Sequence, residues 1–205
     1  NVKSKIVYPQ KNSIHNQYDS KRPVLLMYFY INCCEAMGAN IVNTMLESIT
    51  SVIKKLLNCN IGIRIISNLS TQRMVRSYCS IPFYLLHNSL NVEKGRRMAQ
   101  AIVSAYRVSI RDPYRACTHN KGIMNGIDAV SIATGNDWRS LEAGVHAYAS
   151  REGNYTSLTA YKTDLSSLKC YIELPLAIGV VGGSIKSHPL IPVLHRILGV
   201  FSNST

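Results

Sequence analysis

The stretch from Asp112 to Arg139, DPYRACTHNKGIMNGIDAVSIATGNDWR, sets charged and amide side chains among small and apolar residues. This background predicts a buried helix from about His119 to Ala133, because it leaves little room for hydrated charge. A polar side chain buried without a partner is costly, so these side chains need partners within the fold. Helical spacing places Asn125 on the face of Lys121 and Asp128 close to that face.

The same stretch continues past the helix with a break at Thr134-Gly135-Asn136, after which Asp137 takes the N-cap position of a second helix. Two interpretations follow for Lys121. The commoner one is a structural lysine–aspartate pair with a helix cap. The other is an anion-stabilising lysine, kept charged by a carboxylate and oriented by an amide, which suits a carbonyl oxygen that gains negative charge. The residue pattern alone leaves both open.

An α/β unit is predicted upstream of this stretch. A strand over Pro23–Ile31 leads into the turn Glu35-Ala36-Met37-Gly38. A helix over Ala39–Leu57 and a strand over Ile61–Ser67 follow. Gly38 permits close backbone approach, and the start of the helix offers free N–H groups to an anion. The turn is not a GxGxxG motif and does not predict a Rossmann fold, so taken alone it is a weak signal.

The remaining residues predict further helices and strands. Residues 1–22 are polar and support at most one short strand near Lys5–Tyr8, the rest being loop or disordered. The other predicted elements are a short helix at Thr71–Arg76, a strand at Tyr78–Tyr84, helices at Val92–Ile110, Trp138–Ala149 and Leu190–Leu198, and a β-hairpin of Tyr155–Lys162 with Leu168–Leu174. Gly182-Gly183-Ser184 could approach a ligand closely, although tight packing explains these residues equally well.

Charge and cysteine content narrow the function classes. The 205 residues carry 23 Lys and Arg against 11 Asp and Glu, a net charge of +12, which suits nucleic acid or phosphorylated small molecules. The basic residues are scattered and no nucleic-acid-binding motif accompanies them. The six cysteines form no CxxC motif, so we expect reduced thiols and no metal site. Without a leader or a membrane-length apolar run, the expected location is cytoplasmic, with no membrane partner.

The sequence segments HNKGIMNGIDAV and IATGNDWR resemble the catalytic core of the class II hydroxymethylglutaryl-CoA reductases. The resemblance continues in the family's order through EAMGANIVNTMLE, RIISNL and DPYRA upstream, and EAGVHAYASREGNYTSLT, IELPLAIGVVGG, KSHP and RILGV downstream. It implies an α+β fold. Residues 1–66 would form the C-terminal part of a ferredoxin-like, NAD(P)-binding small domain, and residues 67–205 part of a larger, helix-rich catalytic domain.

The resemblance also implies a reaction, the interconversion of 3-hydroxy-3-methylglutaryl-CoA with mevalonate and CoA by two hydride transfers involving NADH or NADPH. By motif, Lys121 would stabilise the oxyanion and Asp137 would hold and tune that lysine. Asn125 would orient the lysine or the substrate. Arg115 would contact a carboxylate or phosphate of the substrate, which suits its bidentate guanidinium. His119 is expected to be a hydrogen-bonding scaffold residue.

The resemblance implies that five residues bind the NADH or NADPH cofactor: Glu35, Met37, Gly38, Asn40 and Asn68. Glu35 stands where the family has an aspartate, so its carboxylate is displaced by one methylene and the cofactor fit is altered at this point. The sequence does not decide between NADH and NADPH, nor between the synthetic and the degradative direction.

Two catalytic groups of the family have no counterpart among these residues: a glutamate from an N-terminal segment and a histidine from a C-terminal flap. His188 is not assigned to that role. We therefore expect little or no turnover from this 205-residue chain alone. The family's active sites lie at the interface of a tight dimer, so we expect the intact enzyme to be a homodimer in which the dinucleotide lobe of one chain meets the lysine of the other.

Two alternatives remain from other classes of function. One is a basic module that binds nucleic acid and retains only a degenerate fold. The other is a non-catalytic remnant that pairs with a complete homologue. Salt-dependent binding to polyanions would favour the first, and co-purification with a longer chain would favour the second.

Overall fold

The structure, a computed structural model, describes residues 2–7, 24–182, 185 and 188–200. The chain divides into two compact units, the first ending at Cys34 and the second beginning at Glu35. In the first unit, strand β1 (Val2–Val7) pairs antiparallel with β2 (Val24–Phe29). The strands predicted near Lys5 and after Pro23 are thereby confirmed. The loop or disorder expected over residues 8–22 lies outside the described residues.

The described part of the second unit combines helices with a three-stranded sheet. Its elements are α1 (Ala39–Leu57), β3 (Met74–Pro82), α2 (Val92–Ser109), α3 (Pro113–Ala133), α4 (Trp138–Ala149), β4 (Thr159–Thr163), β5 (Ser167–Pro175) and α5 (Ile191–Ile197). Helices together with antiparallel strands confirm the predicted α+β class. The domain boundary predicted after residue 66 falls inside this unit and stays a prediction.

Helix α1 has the bounds that its periodicity predicted. Gly38 precedes it with a φ of 105°, a left-handed conformation that glycine adopts without strain. Lys54 and Lys55 lie in its last turn, where the helix dipole favours cations. Among the described helices, none combines the length with the apolar content that a membrane span requires.

The sheet of the second unit has the strand order β3-β5-β4, with both pairs antiparallel. β5 is central, and Leu168 is opposite Ile81 on one side and Thr163 on the other. The hairpin predicted from Tyr155 to Leu174 is confirmed as β4 and β5, with the first strand starting at Thr159. Phe83, Ala99 and Leu168 form one buried cluster.

Two elements predicted between α1 and α2 are wrong. The segment Ile61–Ser67 is irregular rather than a strand, since its described contacts run to α1: the Ile66 N–H donates to Asn43 Oδ1, and Arg64 pairs with Glu47. The short helix at Thr71–Arg76 is replaced by a turn and the start of β3, because pairing with β5 decides the conformation there.

Helix α3 begins at Pro113, six residues before the predicted start. Asp112 caps it by accepting hydrogen bonds from the backbone N–H groups of Tyr114 and Arg115. The prediction that this helix is buried is wrong for the single chain. Its buried residues lie along one stripe, and the opposite side is exposed; the buried residues are Ala116, Asn120, Met124 and Ser131, and the exposed ones include Lys121, Gly122, Asn125, Gly126, Val130 and Ile132.

The buried stripe of α3 contributes to the larger core cluster. Met124 packs there with Val145 and Tyr148 of α4 and with Leu174 of β5. Burying one such side chain contributes about 1.5–3 kcal/mol, so this cluster fixes α3 against α4 and the sheet. The exposed side of α3 is therefore held rigidly from beneath.

Candidate active site

A cavity of about 450 Å³ opens between three segments of the second unit. Its walls are the turn leading into α1 (residues 36–41), the turn leading into α4 (residues 135–139), and Gly179, Val181, Gly182 and Ile185. These residues are far apart in sequence, so the cavity is a product of the tertiary fold. For Gly182-Gly183-Ser184 the sequence left ligand approach and tight packing open; Gly182 lines the cavity, and residues 183–184 lie outside the described part.

The turn into α1 brings backbone donors to the cavity. Gly38 is buried, its carbonyl accepts from the Val42 N–H, and no side chain caps the helix. The first N–H groups of a helix have no partner within that helix, and the helix dipole makes them attractive to an anion. Met37, Gly38 and Asn40 line the cavity together, and their role in cofactor binding stays a prediction.

The two other residues assigned to the cofactor do not line this cavity. Glu35 begins the turn but lies outside the part that lines the cavity, and its backbone carbonyl accepts from the Val180 N–H at 2.8 Å. The backbone carbonyl of Asn68 packs so closely on Gly144 of α4 that a Cβ at Gly144 would overlap it. Their roles in cofactor binding stay predictions.

Arg73 and Asn136 hold the cavity walls together, and sequence reasoning missed both. Arg73 donates from Nη1 to the carbonyls of Ala36 and Met37, each at 2.9 Å, and from Nη2 to the carbonyl of Ile178 at 2.5 Å. Asn136 donates to the Gly179 carbonyl at 3.1 Å and accepts from the Gly179 N–H at 2.8 Å. Asn136 lies in IATGNDWR, one of the segments that carried the resemblance, whereas no local sequence pattern marks Arg73.

Asp137 lines the cavity and caps α4, as its position before Trp138 predicted. Its Oδ1 accepts from the Ser140 N–H at 3.2 Å, and the Ser140 hydroxyl donates to the Asp137 carbonyl at 2.9 Å. The residue is exposed, so its carboxylate is still accessible to a cation from outside this chain.

The structure does not bring Lys121 and Asp137 together within one chain. The Asn136 N–H donates to the Ser131 carbonyl, ten residues beyond Lys121, which is about 15 Å along the axis of α3. This distance exceeds the reach of a lysine side chain. Lys121 is exposed and belongs to none of the ion pairs among the described residues. The expected lysine–aspartate contact is therefore absent from the described part of the single chain.

The exposed face of α3 carries the other predicted catalytic and substrate residues. Asn125 lies one helical turn beyond Lys121 and is exposed beside it. Arg115 is half-buried and lies about 120° around the helix from Lys121. The substrate roles assigned to Arg115 and Asn125 stay predictions, since a single chain shows no ligand contact for either.

His119 and Asn120 anchor α3 to the loop before β4 and to β4 itself. The His119 Nε2 lies 2.6 Å from the Thr159 hydroxyl, and burial together with the charge of Arg115 lowers the pKa of His119. The buried Asn120 donates to the Thr156 carbonyl at 2.9 Å and accepts from the Leu158 N–H at 3.0 Å. These contacts agree with the scaffold role predicted for His119.

Asp128 faces α4 rather than the exposed side of α3. Its Oδ1 is buried without a hydrogen-bond partner among the described residues. Burial first, and then the negative charge of Glu142, raise the pKa of the Asp128 carboxyl above its usual range, while His146 opposes this shift. This location indicates a structural role for Asp128.

Comparison with known proteins gives the family. The model of the hydroxymethylglutaryl-coenzyme A reductase family matches residues 10–205. A 3-hydroxy-3-methylglutaryl-coenzyme A reductase of Archaeoglobus fulgidus is 42% identical over 178 residues, which is 86% of this chain and 39% of that protein. A probable reductase of the same name from Borreliella burgdorferi is 33% identical over 175 residues, covering 85% of this chain and 40% of that protein.

Solved structures agree. The class II 3-hydroxy-3-methylglutaryl-CoA reductase of Streptococcus pneumoniae, bound to NADPH in open conformations, superposes with a TM-score of 0.86 at 38% identity, covering 98% of this chain and 46% of that one. Another structure of the Streptococcus pneumoniae enzyme gives a TM-score of 0.87 and covers 51% of the solved chain. The chain belongs to the hydroxymethylglutaryl-coenzyme A reductase family and spans about 40% of the length of its curated relatives.

Proposed function

We propose that this chain supplies part of the active site of a reductase that interconverts 3-hydroxy-3-methylglutaryl-CoA with mevalonate and CoA, using NADH or NADPH. The observation that carries the proposal is the cavity shared by the turn before α1 and by Asp137. One face of this cavity suits an anionic dinucleotide, and the other presents a carboxylate that can hold a catalytic cation.

The cavity fits a dinucleotide for structural reasons. The left-handed Gly38 allows the backbone to present N–H groups without a side chain in the way, and α1 starts there without a side-chain cap. Gly179 lies against the turn so tightly that a Cβ would overlap the backbone of Ala36 and Met37. A reduced nicotinamide, when bound, supplies the hydride.

The role of the chain's own residues is to position charge. We propose that Asp137 holds the ammonium group of a Lys121 that belongs to a second copy of the chain. Both side chains are exposed, and about 15 Å of α3 separates them within one copy. Across an interface, Lys121 would meet the oxyanion that forms as hydride reaches the carbonyl carbon, and would stabilise its negative charge. Asn125 and Arg115 would then orient the substrate from α3 of that second copy.

This proposal makes the site a property of a homodimer. The low turnover expected from the 205-residue chain alone is a separate prediction, because it depends on the glutamate and histidine that the resemblance assigns to other segments. The cytoplasmic location also stays a prediction.

Binding of NADPH tests the proposal directly. Gly38→Val forces a branched side chain into a left-handed turn at the cavity, and we expect at least about a tenfold loss of affinity. Gly153→Val is the matched control, since Gly153 has a φ of 97° with open space around it and does not line the cavity. Equal NADPH affinity in wild type and Gly38→Val, with both chains folded, would overturn the proposal.

A further inference from the structure

Arg73 lies immediately before β3 and reaches behind the turn that leads into α1. The three acceptors of its guanidinium hydrogen bonds are backbone carbonyls, those of Ala36, Met37 and Ile178. The Arg73 backbone carbonyl accepts from the Leu176 N–H at 2.9 Å, so the base of the side chain is also fixed. Carbonyl acceptors leave the positive charge of the guanidinium without neutralisation by these partners.

The orientation of two peptide groups follows from these contacts. A trans peptide is planar, so its N–H points opposite to its carbonyl. Because the carbonyls of Ala36 and Met37 both point at Arg73, the N–H groups of Met37 and Gly38 point away from it. Met37 and Gly38 line the cavity. Arg73 therefore sets the direction of the Gly38 N–H at the cavity wall and keeps a cation behind it, whereas the Met37 nitrogen lies against Gly179, next to the bridge between Ala36 and Val181.

Asn136 hydrogen-bonds to the same segment from the opposite wall of the cavity. Its amide makes two hydrogen bonds to the backbone of Gly179 and a third, at 2.9 Å, to the Thr134 hydroxyl. Ile178 and Gly179 are thus held by Arg73 on one side and by Asn136 on the other. The next residue after Asn136 is Asp137. The hydrogen bonds of Arg73 and Asn136 therefore connect the turn before α1 to the proposed lysine-binding carboxylate.

We propose that Arg73 is a positioning residue for the pyrophosphate of the dinucleotide, acting through the turn it holds rather than by direct contact. Its hydrogen bonds preset the direction of the Gly38 N–H, and its positive charge favours an anion in front of that donor. The inference rests on the proposed function, because it presumes that this cavity takes a dinucleotide. It adds a residue outside those that the resemblance assigns.

The test compares NADPH, which carries the pyrophosphate, with adenosine, which does not. We expect Arg73→Met to weaken NADPH binding by about tenfold or more and adenosine binding by less than about threefold. Arg73→Lys keeps the charge but loses the planar fork, and should fall between Arg73→Met and wild type. Added methylguanidine should partly restore NADPH binding to Arg73→Met and leave wild type unchanged.

Arg76→Met is the matched control, because Arg76 lies three residues along the chain and pairs with Glu173 rather than with the turn. It should bind NADPH as wild type does. If Arg73→Met melts before the binding temperature, Arg73→Lys decides by the same comparison. Wild-type affinity for NADPH in the folded Arg73 variants would overturn this inference while the proposed function stands. Failure of wild type itself to bind NADPH would overturn both.

Discussion

The cavity and the exposed face of α3 are two halves of one proposed site, and the fold treats them differently. The cavity walls are bound to each other by Arg73, Asn136 and the close approach of Gly179. The exposed face of α3 presents Lys121 and Asn125, which make no such contacts within the described residues. One half is preorganised by the chain itself, and the other is a rigid helix that displays unpaired groups. The catalytic role proposed for Lys121 therefore depends on a carboxylate supplied by a second copy.

The largest effect should come from Gly179, where the cavity walls touch. Gly179→Ala places a Cβ into the backbone of Ala36 and Met37, so the walls must separate. Overpacking of this kind costs about 1–3 kcal/mol of unfolding free energy, and NADPH affinity should fall with it. Gly126→Ala on the exposed face of α3 is the control, since nothing lies within 4 Å of its added Cβ. Chemical denaturation measures the unfolding free energy of both variants. Equal losses in Gly179→Ala and Gly126→Ala would contradict the expected difference.

The next contrast uses two asparagines. Asn136→Ala leaves the backbone groups of Gly179 without their partners, which should cost about 1–3 kcal/mol. Asn125→Ala removes an exposed side chain and should change the unfolding free energy by less than about 0.5 kcal/mol. Urea unfolding measures both changes in unfolding free energy. A larger loss of stability for Asn125→Ala would contradict the view that the cavity walls are held by internal contacts and the exposed face of α3 is not.

A smaller effect is expected at the cap of α4. Asp137→Ala removes the acceptor for the Ser140 N–H and should cost about 1 kcal/mol. Asp137→Ser retains a capping oxygen without the charge, so it should recover most of the stability. If cation binding is the second role of Asp137, Asp137→Ser should nevertheless fail to bind Lys121 of a second copy. Equal losses in the two variants would show that capping is not the source of the stability.

The pH dependence of stability should report on the buried side of α3. The pKa of Asp128 is raised in the folded state, so the folded chain binds more protons than the unfolded chain as this group titrates. Its contribution is therefore complete at acidic pH, below the usual carboxyl range, and is lost as pH rises through the folded pKa. Asp128→Asn should raise the melting temperature at pH 7 and lose that advantage in acid. A gain that grew as the pH fell would contradict the sign.

The smallest change should follow Lys121→Met. An exposed side chain without an ion pair in its own chain contributes little, so the unfolding free energy of the dilute chain should move by less than about 0.5 kcal/mol. A loss above 1 kcal/mol at low concentration would show that Lys121 already has a partner within the chain, and would remove the need for a second copy.

Local patterns predicted much of this fold. The bounds of α1, α2 and α4 were found because periodicity, caps and turns agree there. The predictions at Ile61–Ser67 and Thr71–Arg76 were wrong because contacts with segments distant in sequence decide the backbone conformation there. The burial of α3 was overestimated because glycine and alanine are common on close-packed surfaces of any kind, including one left open in a single chain.

The roles of the residues assigned by the resemblance stay predictions, but the structure shows where these residues lie. The resemblance picked out Asp137 and the turn before α1, and the structure places both at one cavity. Arg73 could not be found in this way, because its partners lie 37 and 105 residues away and no local spacing signals them. The separation of Lys121 from Asp137 also needed the length of α3 and the position of its C-terminal turn.

Zero-length cross-linking detects whether Asp137 of one copy contacts Lys121 of another. Equal amounts of ¹⁴N- and ¹⁵N-labelled chains are mixed at high concentration, treated with a carbodiimide and mapped by mass spectrometry. We expect a Lys121–Asp137 amide in which about half of the linked peptides combine the two isotopes, as random pairing of symmetric copies requires. Linked peptides that always share one isotope, or no Lys121–Asp137 link at all, would contradict it.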